Sequence, residues 1–452
     1  RVAEGEAAAR GRHFGYYADQ YGDRSRDVPK VRYDRLQKFD ADFADIGYAL
    51  TWGFLSAPVA ACNLVTAMDN SYLQFNQPYL VRHVLLDEAL NAARKVVYLR
   101  GKAQALLGLG ELSVLEANYE TGRQNFHEAL SLFTALANKQ GEANTQLALG
   151  ELDAREDNST SARQHYERAL DLYRVVGDEL GEANTLRVLG DLDNVGTDLS
   201  AARKRYLEAQ QLYQSISERL GQANTLLALG NIEMQEDSYE VAREHQESAL
   251  LLFRDVRDKL GEAHTLRALG ELDALQGNYA LARARYDSAL ALYGSIPNRR
   301  GVANTLMDLG DVDMEEGQSK SAHQHYETAL LLFEAIRDRL GEAQVRWRLG
   351  ELACAQGDLN TASNQFTTVA GLLNSIGLAQ DEAGVKAKVA RVWLDQGKIV
   401  ESITLLVEAL TYFLEHGLAK DAQEIMDSYI DSYGLDHHWP EVTLTFRFAR
   451  RG

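Results

Sequence analysis

The pattern of apolar and polar positions recurs every forty residues between 101 and 380. Ala162, Ala202, Ala242, Ala282 and Ala322 mark one point of the repeat. Four residues later stands an aromatic side chain, at Tyr166, Tyr206, Tyr286 and Tyr326, and three residues beyond that an alanine. Phe126 and Phe366 hold the same aromatic position, and Gln246 is the exception. Side chains three, four and seven residues apart share one face of a helix. Small residues at fixed places let two helices approach, and the ring fills the groove beside them.

A second helix per copy is marked by glycines. Gly101, Gly141, Gly181, Gly221, Gly261, Gly301 and Gly341 open the copies, and a Leu-Gly pair ends at Gly110, Gly150, Gly190, Gly230, Gly270, Gly310 and Gly350. Asp178, Asp258, Asn298 and Asp338 stand where they can cap the first helix. Glu142, Glu182, Glu262 and Glu342 fall in its first turn, where the dipole favours anions. A turn is expected at Gly277, Gly317, Gly357 or an equivalent Asp, giving helices of roughly sixteen residues, or about 24 Å. A fixed period in this range predicts an all-α solenoid of helical hairpins, in which neighbours bury the apolar faces that no single copy can bury alone.

The flanks are irregular. Leu36, Phe39, Phe43, Ile46 and Leu50 recur at helical spacing. Ile46 to Met68 carries no charge, but Asn63, Ser56 and Pro58 make it too polar for a membrane span; two helices broken at Pro58 are expected. Residues 61–100 read as a worn copy, with Ala89 and Leu90 in register and the glycines missing. Residues 381–420 have lost both glycines (Asp381, Ala390), and 421–452, with Trp439 and Pro440, read as a closing cap. The expected divisions are therefore a helical arm over 1–60, a degenerate repeat over 61–100, seven repeats over 101–380 and a degenerate eighth repeat with cap over 381–452.

A net charge of −19 over 452 residues argues against a nucleic-acid footprint, which needs a basic face. The two cysteines, Cys62 and Cys354, match no metal spacing and read as free core thiols in a reducing, cytoplasmic compartment. His323 and His325, or His437 and His438, are poorly placed as joint ligands, so no metal or cofactor is expected. No GxSxG, HExxH, CxxC or P-loop pattern occurs, and a repeating open groove offers no pocket to shift a catalytic carboxylate. The chain is not expected to be an enzyme. It opens RVAEGEAAAR without an initiator Met, which suggests a fragment or processed chain.

The Leu-Gly pair followed by Ala, aromatic and Ala at these intervals resembles the tetratricopeptide repeat, well over 101–420 and weakly over 61–100. The resemblance implies a right-handed superhelix whose first helices line a concave face. Two features depart from the family pattern. The aromatic expected three residues after the Leu-Gly pair is replaced by Asp153, Asp193, Glu233, Asp273 and Asp313, and the proline at the end of the second helix is absent. Upstream, GRHFGYYAD and VRYDRLQKFDADFADIGYALTW resemble the segment that precedes repeat sensors in STAND-type signalling ATPases. That resemblance implies a sensor that binds an inducer, peptide or protein and controls a nucleotide-binding module outside this chain. The alternative is a free-standing scaffold that binds protein partners.

On the face that the resemblance makes concave, position 4 of the copies carries Gln104, Asn144, Asn184, Asn224, His264, Asn304 and Gln344. Position 11 carries Glu111, Glu151, Asp191, Asn231, Glu271, Asp311 and Glu351, and position 7 brings Arg187, Arg267 and Trp347. Amides can pair with both the N–H and the C=O of an extended peptide. The carboxylates would favour a basic segment, and Arg187 and Arg267 can grip a carboxylate or phosphate in two-pronged fashion. The other reading stays open: the Asn residues tie neighbouring repeats together and the acids form a solvated face. Copies that break the pattern, at His264, Gln344 and Trp347, are the better candidates for specificity; for Trp347, core packing competes with ligand contact.

Overall fold

The computed structural model describes residues 2–21, 29–69 and 79–433, and every regular element among them is a helix. The chain forms two compact units, Arg1–Arg257 and Asp258–Gly452. The first begins with α1 (Val2–Tyr21), α2 (Pro29–Ser56), α3 (Pro58–Met68) and α4 (Tyr79–Lys95). Four hairpins follow: α5–α6 (Leu99–Leu115, Tyr119–Ala135), α7–α8 (Lys139–Arg155, Ser159–Val176), α9–α10 (Glu179–Val195, Leu199–Ser215) and α11–α12 (Arg219–Gln235, Tyr239–Val256). The second unit holds α13–α14 (Lys259–Leu275, Tyr279–Ser295), α15–α16 (Arg299–Glu315, Ser319–Ile336), α17–α18 (Arg339–Ala355, Leu359–Ser375), α19–α20 (Ala379–Asp395, Ile399–Glu415) and α21 (Ala419–Tyr433). Trp439 and Pro440 lie outside the described residues.

Local chemistry explains the regularity. The carboxylate of Asp178 accepts from the Gly181 amide at 3.1 Å, and Asn298 and Asp338 cap Gly301 and Gly341 in the same way. Each hairpin closes through a residue in the left-handed region, Gly277 at φ +74° and Gly317 at +72°, or Asp157 at +58° where no glycine is available. The two glycine series have a common cause in ring contact. A β-carbon on Gly150 would lie 2.5 Å from the Tyr166 ring, and one on Gly301 would lie 2.5 Å from the Tyr293 ring. Most glycines of both series therefore give the aromatics of the second helices room to lie against backbone; Gly230 is met by Gln246 and Gly101 by Tyr98 instead.

The N-terminal helices share one apolar core with the first hairpin. Phe14, Ile46, Leu50, Cys62, Met68 and Leu86 cluster with Ala103, Leu106 and Phe133. The uncharged stretch breaks as its proline requires: α2 stops at Ser56 and Pro58 occupies the first turn of α3. No helix among the described residues is long and apolar enough to cross a membrane. The Cys62 thiol is buried and reaches the Ala89 carbonyl at 3.2 Å, and burial pushes its pKa up to about 11. Cys354 departs from the expected core placement and is only half-buried.

Candidate functional site

Within each unit, the first helices of successive hairpins touch one another as well as their own partners: α5 meets α7, α9 meets α11, α13 meets α15, and α15 meets α17. The face they share is therefore an inner one, and positions 4, 7 or 8, and 11 lie on it. Glu151 is water-accessible at its side chain yet crowded by protein, and burial raises its pKa against the pull of Arg155 and Arg187. Glu111 behaves likewise: burial pushes it up to about 7, although Arg82 donates to it at 2.7 Å.

In the first unit the amides divide into two kinds. The Tyr173 hydroxyl donates to Asn144 Oδ1 at 2.9 Å, and the Tyr213 hydroxyl donates to Asn184 Oδ1 at 2.6 Å. Those tyrosines stand at position 33 of the same copy, on the second helix. In the Gly221 copy that position is Phe253, and Asn224 is exposed with no hydrogen-bond partner among the described residues. Position 11 follows a similar rule. Asp191 accepts from the Tyr206 hydroxyl at 2.7 Å and from Arg187 Nη1 at 2.8 Å. Glu151 has no hydrogen-bond or ion-pair partner among the described residues, although Tyr166 stands where Tyr206 does.

The second unit repeats the arrangement with changed residues. His264 replaces Asn, and its Nδ1 lies 2.7 Å from the Tyr293 hydroxyl; burial and then Arg267 lower its pKa. Asn304, whose copy carries Phe333 at position 33, is half-buried and unpartnered among the described residues, and Gln344 is exposed. Arg267 donates to Asp308 at 2.9 Å, and Arg348 Nε donates to both Asp311 oxygens at 2.7 and 2.8 Å. Asp311 also accepts from the Tyr326 hydroxyl at 2.7 Å, whereas Glu271 is exposed and unpartnered among the described residues. Burial pushes Asp308 up to about 6, with Arg267 opposing. Trp347 is half-buried, its ring 5.0 Å from that of Phe366 with the Lys388 ammonium 5.8 Å away. Arg346, beside Trp347 in sequence, donates to Glu342 at 2.7 Å and to Glu334 at 2.8 Å.

Arg187 and Arg267, expected to grip an anion, are thus already engaged by Asp191 and Asp308. Asn144 and Asn184 are engaged by tyrosine, while Asn224, Asn304, Glu151 and Glu271 remain available. The tyrosine ties escaped the sequence reading. Their signal is the alternation of Tyr and Phe at position 33: Phe133, Tyr173, Tyr213, Phe253, Tyr293 and Phe333.

The family model described as "Tetratricopeptide repeat" matches residues 101–174, 141–215 and 221–295. Residues 101–215 and 221–295 are built of tetratricopeptide repeats. No curated protein sequence matches the chain. Among solved structures, it is similar to the quorum sensor NprR from B. thuringiensis in its apo form, at 14% identity and TM-score 0.55 over 76% of this chain and 98% of that one. It is similar to a Signal Transduction ATPase with Numerous Domains (STAND) protein with a tetratricopeptide repeat sensor from Pyrococcus horikoshii, at 15% identity and TM-score 0.54. That match covers 82% of this chain but 55% of the other, so this chain spans about half of it. A third is the Rap conjugation gene regulator of the plasmid pLS20 in complex with a peptide, at 14% identity and TM-score 0.50 over 83% and 97%. At these identities the likeness establishes the fold.

The departures from the tetratricopeptide pattern have a structural role. Asp153 and Asp193 are buried between hairpins, where Arg123 and Arg163 from the preceding second helix reach them at 2.7 Å each. Asp313 is met by Arg283 of the preceding second helix at 2.5 Å and by His325 of its own at 2.8 Å. A carboxylate clamped by cations thus stands where these repeats usually place an aromatic ring. His165 belongs to such a clamp as well, 2.6 Å from Gln146 and 3.6 Å from Asp153. No group of His, Cys, Asp and Glu able to hold a metal occurs among the described residues.

Proposed function

We propose that the array binds a peptide or an extended segment of a protein along the inner face of its first helices, and that it is the ligand-sensing part of a STAND-type signalling ATPase. The observation that carries the binding reading is the unpartnered polar groups on the inner face of each unit, Glu151 and Asn224 in the first and Glu271 and Asn304 in the second, beside amides of the same register in the first unit that are already tied. A surface left to water alone has no reason to repeat amides at position 4. The sensor reading is supported by the order of helical arm and repeats, and by the shared fold with a STAND protein. The Rap regulator's complex with a peptide favours a peptide over a bulky protein surface. A small-molecule inducer fits the same face with fewer contacts.

Binding is tested by selecting a displayed library of random peptides on the full chain and titrating the best peptide against the wild type and an Asn224→Ala, Asn304→Ala double variant. The expected result is selective binding that weakens by at least about tenfold in the variant, equivalent to about 1.4 kcal/mol, with unchanged melting. Failure to recover any peptide that competes at this face sinks the reading. Coupling is tested in the protein that carries the chain. A ligand that binds two states unequally must shift ATP turnover. Turnover indifferent to the ligand leaves the second reading, a scaffold that holds protein partners without nucleotide.

A further inference from the structure

The Gly221 copy differs from its neighbour at three of four related positions of the hairpin: both keep Asn at position 4, while positions 11, 26 and 33 change. The Gly181 copy carries Asn184, Asp191, Tyr206 and Tyr213, joined in pairs by the hydrogen bonds at 2.6 and 2.7 Å. The Gly221 copy carries Asn224, Asn231, Gln246 and Phe253. No residue in this second set is charged, and none of its aromatic rings bears a hydroxyl. Asn224 and Asn231 are exposed, and Gln246 is 0% exposed. Neither Nε2 nor Oε1 of Gln246 has a hydrogen-bond partner among the described residues. In the Gly181 and Gly301 copies the side chain at position 26 reaches through to the acid at position 11, from Tyr206 to Asp191 and from Tyr326 to Asp311. Glutamine is shorter than tyrosine, so the place of that hydroxyl behind Asn231 is not filled by this side chain.

A buried carboxamide without donor or acceptor costs free energy unless something completes it. Its natural complement is a group that both donates and accepts while carrying no charge. Resting on the peptide-binding reading above, we propose that residues 221–257 form a neutral subsite of the inner face. It receives a carboxamide or backbone amide of the ligand between Asn224 and Asn231, with the Gln246 amide behind them. Charged ligand groups are turned away, because three amides compensate a desolvated charge poorly. Discrimination of this kind is steep, since a site built to hydrogen-bond leaves its own groups unpaired when the wrong group enters.

The test restores the neighbouring copy's arrangement. In an Asn231→Asp, Gln246→Tyr double variant the tyrosine hydroxyl can donate to the new carboxylate, as Tyr206 does to Asp191. The melting temperature should hold or rise, while affinity for the peptide selected on the wild type falls by at least about tenfold. Gln246→Tyr alone should weaken the same peptide with no loss of stability. In the peptide itself, exchanging the residue that Asn224→Ala and Asn231→Ala cease to distinguish from alanine should show Asn or Gln preferred over Asp, Glu or Lys. Binding of both Gln246 variants within about threefold of wild type overturns the subsite while leaving peptide binding standing. Recovery of no peptide at all removes the underlying reading, and this inference with it. A double variant that melts lower than wild type would show that Gln246 is a packing residue and overturn the assignment.

Discussion

Replacing Gln246 by phenylalanine should stabilise the hairpin α11–α12. The side chain is 0% exposed, and both of its polar atoms lack partners among the described residues. Leaving such a group unsatisfied costs about 1–3 kcal/mol. The same position holds Phe126 and Phe366, 1% and 0% exposed, so this geometry admits a ring. Burying an aromatic side chain contributes about 1.5–3 kcal/mol, against about 1–3 kcal/mol for imperfect fit in a site shaped around glutamine. The net expectation is about 2 kcal/mol of stabilisation, or about 30-fold greater amide protection. Repeat arrays couple mainly through nearest neighbours, so the gain should be local. Hydrogen exchange read by mass spectrometry should show it over 219–256 and not over α5–α6. Protection unchanged or reduced over 219–256 would refute the reasoning, because the amide would then be satisfied in solution.

Asp193→Ala removes a buried carboxylate held by Arg163 at 2.7 Å and Arg205 at 2.9 Å. Both arginines are partly exposed, so solvent softens the loss, and about 2 kcal/mol is expected in urea unfolding. Asp313 tests pH dependence: burial pushes its carboxyl up, but hydrogen bonds from Ser321, Arg283 and His325 outweigh it and hold it below the ordinary value. Its folded pKa is depressed, so its stabilisation is present above about pH 4 and is lost as pH falls through the folded pKa. Asp313→Asn should lower stability at neutral pH and flatten the acid limb of a melting-temperature profile below about pH 4; an unchanged acid limb would count against the clamp. Tyr213→Phe removes the hydroxyl that holds Asn184, and should cost about 1 kcal/mol in urea unfolding while leaving peptide affinity equal or higher. A loss of affinity there would place Asn184 among the binding groups only when tied.

The helical hairpins, their caps and their turns were legible because each rests on local chemistry. The Asp178 and Asn298 caps, the turns at Gly277 and Gly317, and the ring beside Gly150 are all set within one copy or at its junction. The role of Asp193 was not legible. It looked like a departure from a pattern, and its meaning depends on Arg163, thirty residues upstream on another helix. The inner face was legible as a set of positions but not as a set of available groups. Whether an amide is free depends on a hydroxyl twenty-nine residues later, as with Asn184 and Tyr213, and nothing in the spacing of first-helix residues carries that information. The engagement of Arg187 by Asp191 was within reach of sequence reasoning, since the two are four residues apart on one helix.

A repeat protein makes the search for function a search for broken symmetry. A side chain present in every copy satisfies a requirement that every copy shares, and the structure supplies such requirements for most of the repeated polar residues. The buried acids answer to arginines of the preceding helix, and the tyrosines at position 33 answer to the amides at position 4. What then needs an external explanation is the polar group whose internal partner has been removed while the group itself was kept. Asn224 persists opposite Phe253, and Asn304 persists opposite Phe333. Were their only duty to tie the hairpin, the loss of the hydroxyl would have left nothing to favour an amide at the exposed Asn224 or the half-buried Asn304. An Asn224→Leu variant therefore discriminates between the two readings without knowledge of the ligand. Leucine is the better helix former, so the fold should be kept or gain a few tenths of a kcal/mol if the amide has no structural role. A destabilisation of about 1 kcal/mol or more in urea unfolding would mean that the amide is held by a contact within the chain, and the case for a binding face centred on it would fail.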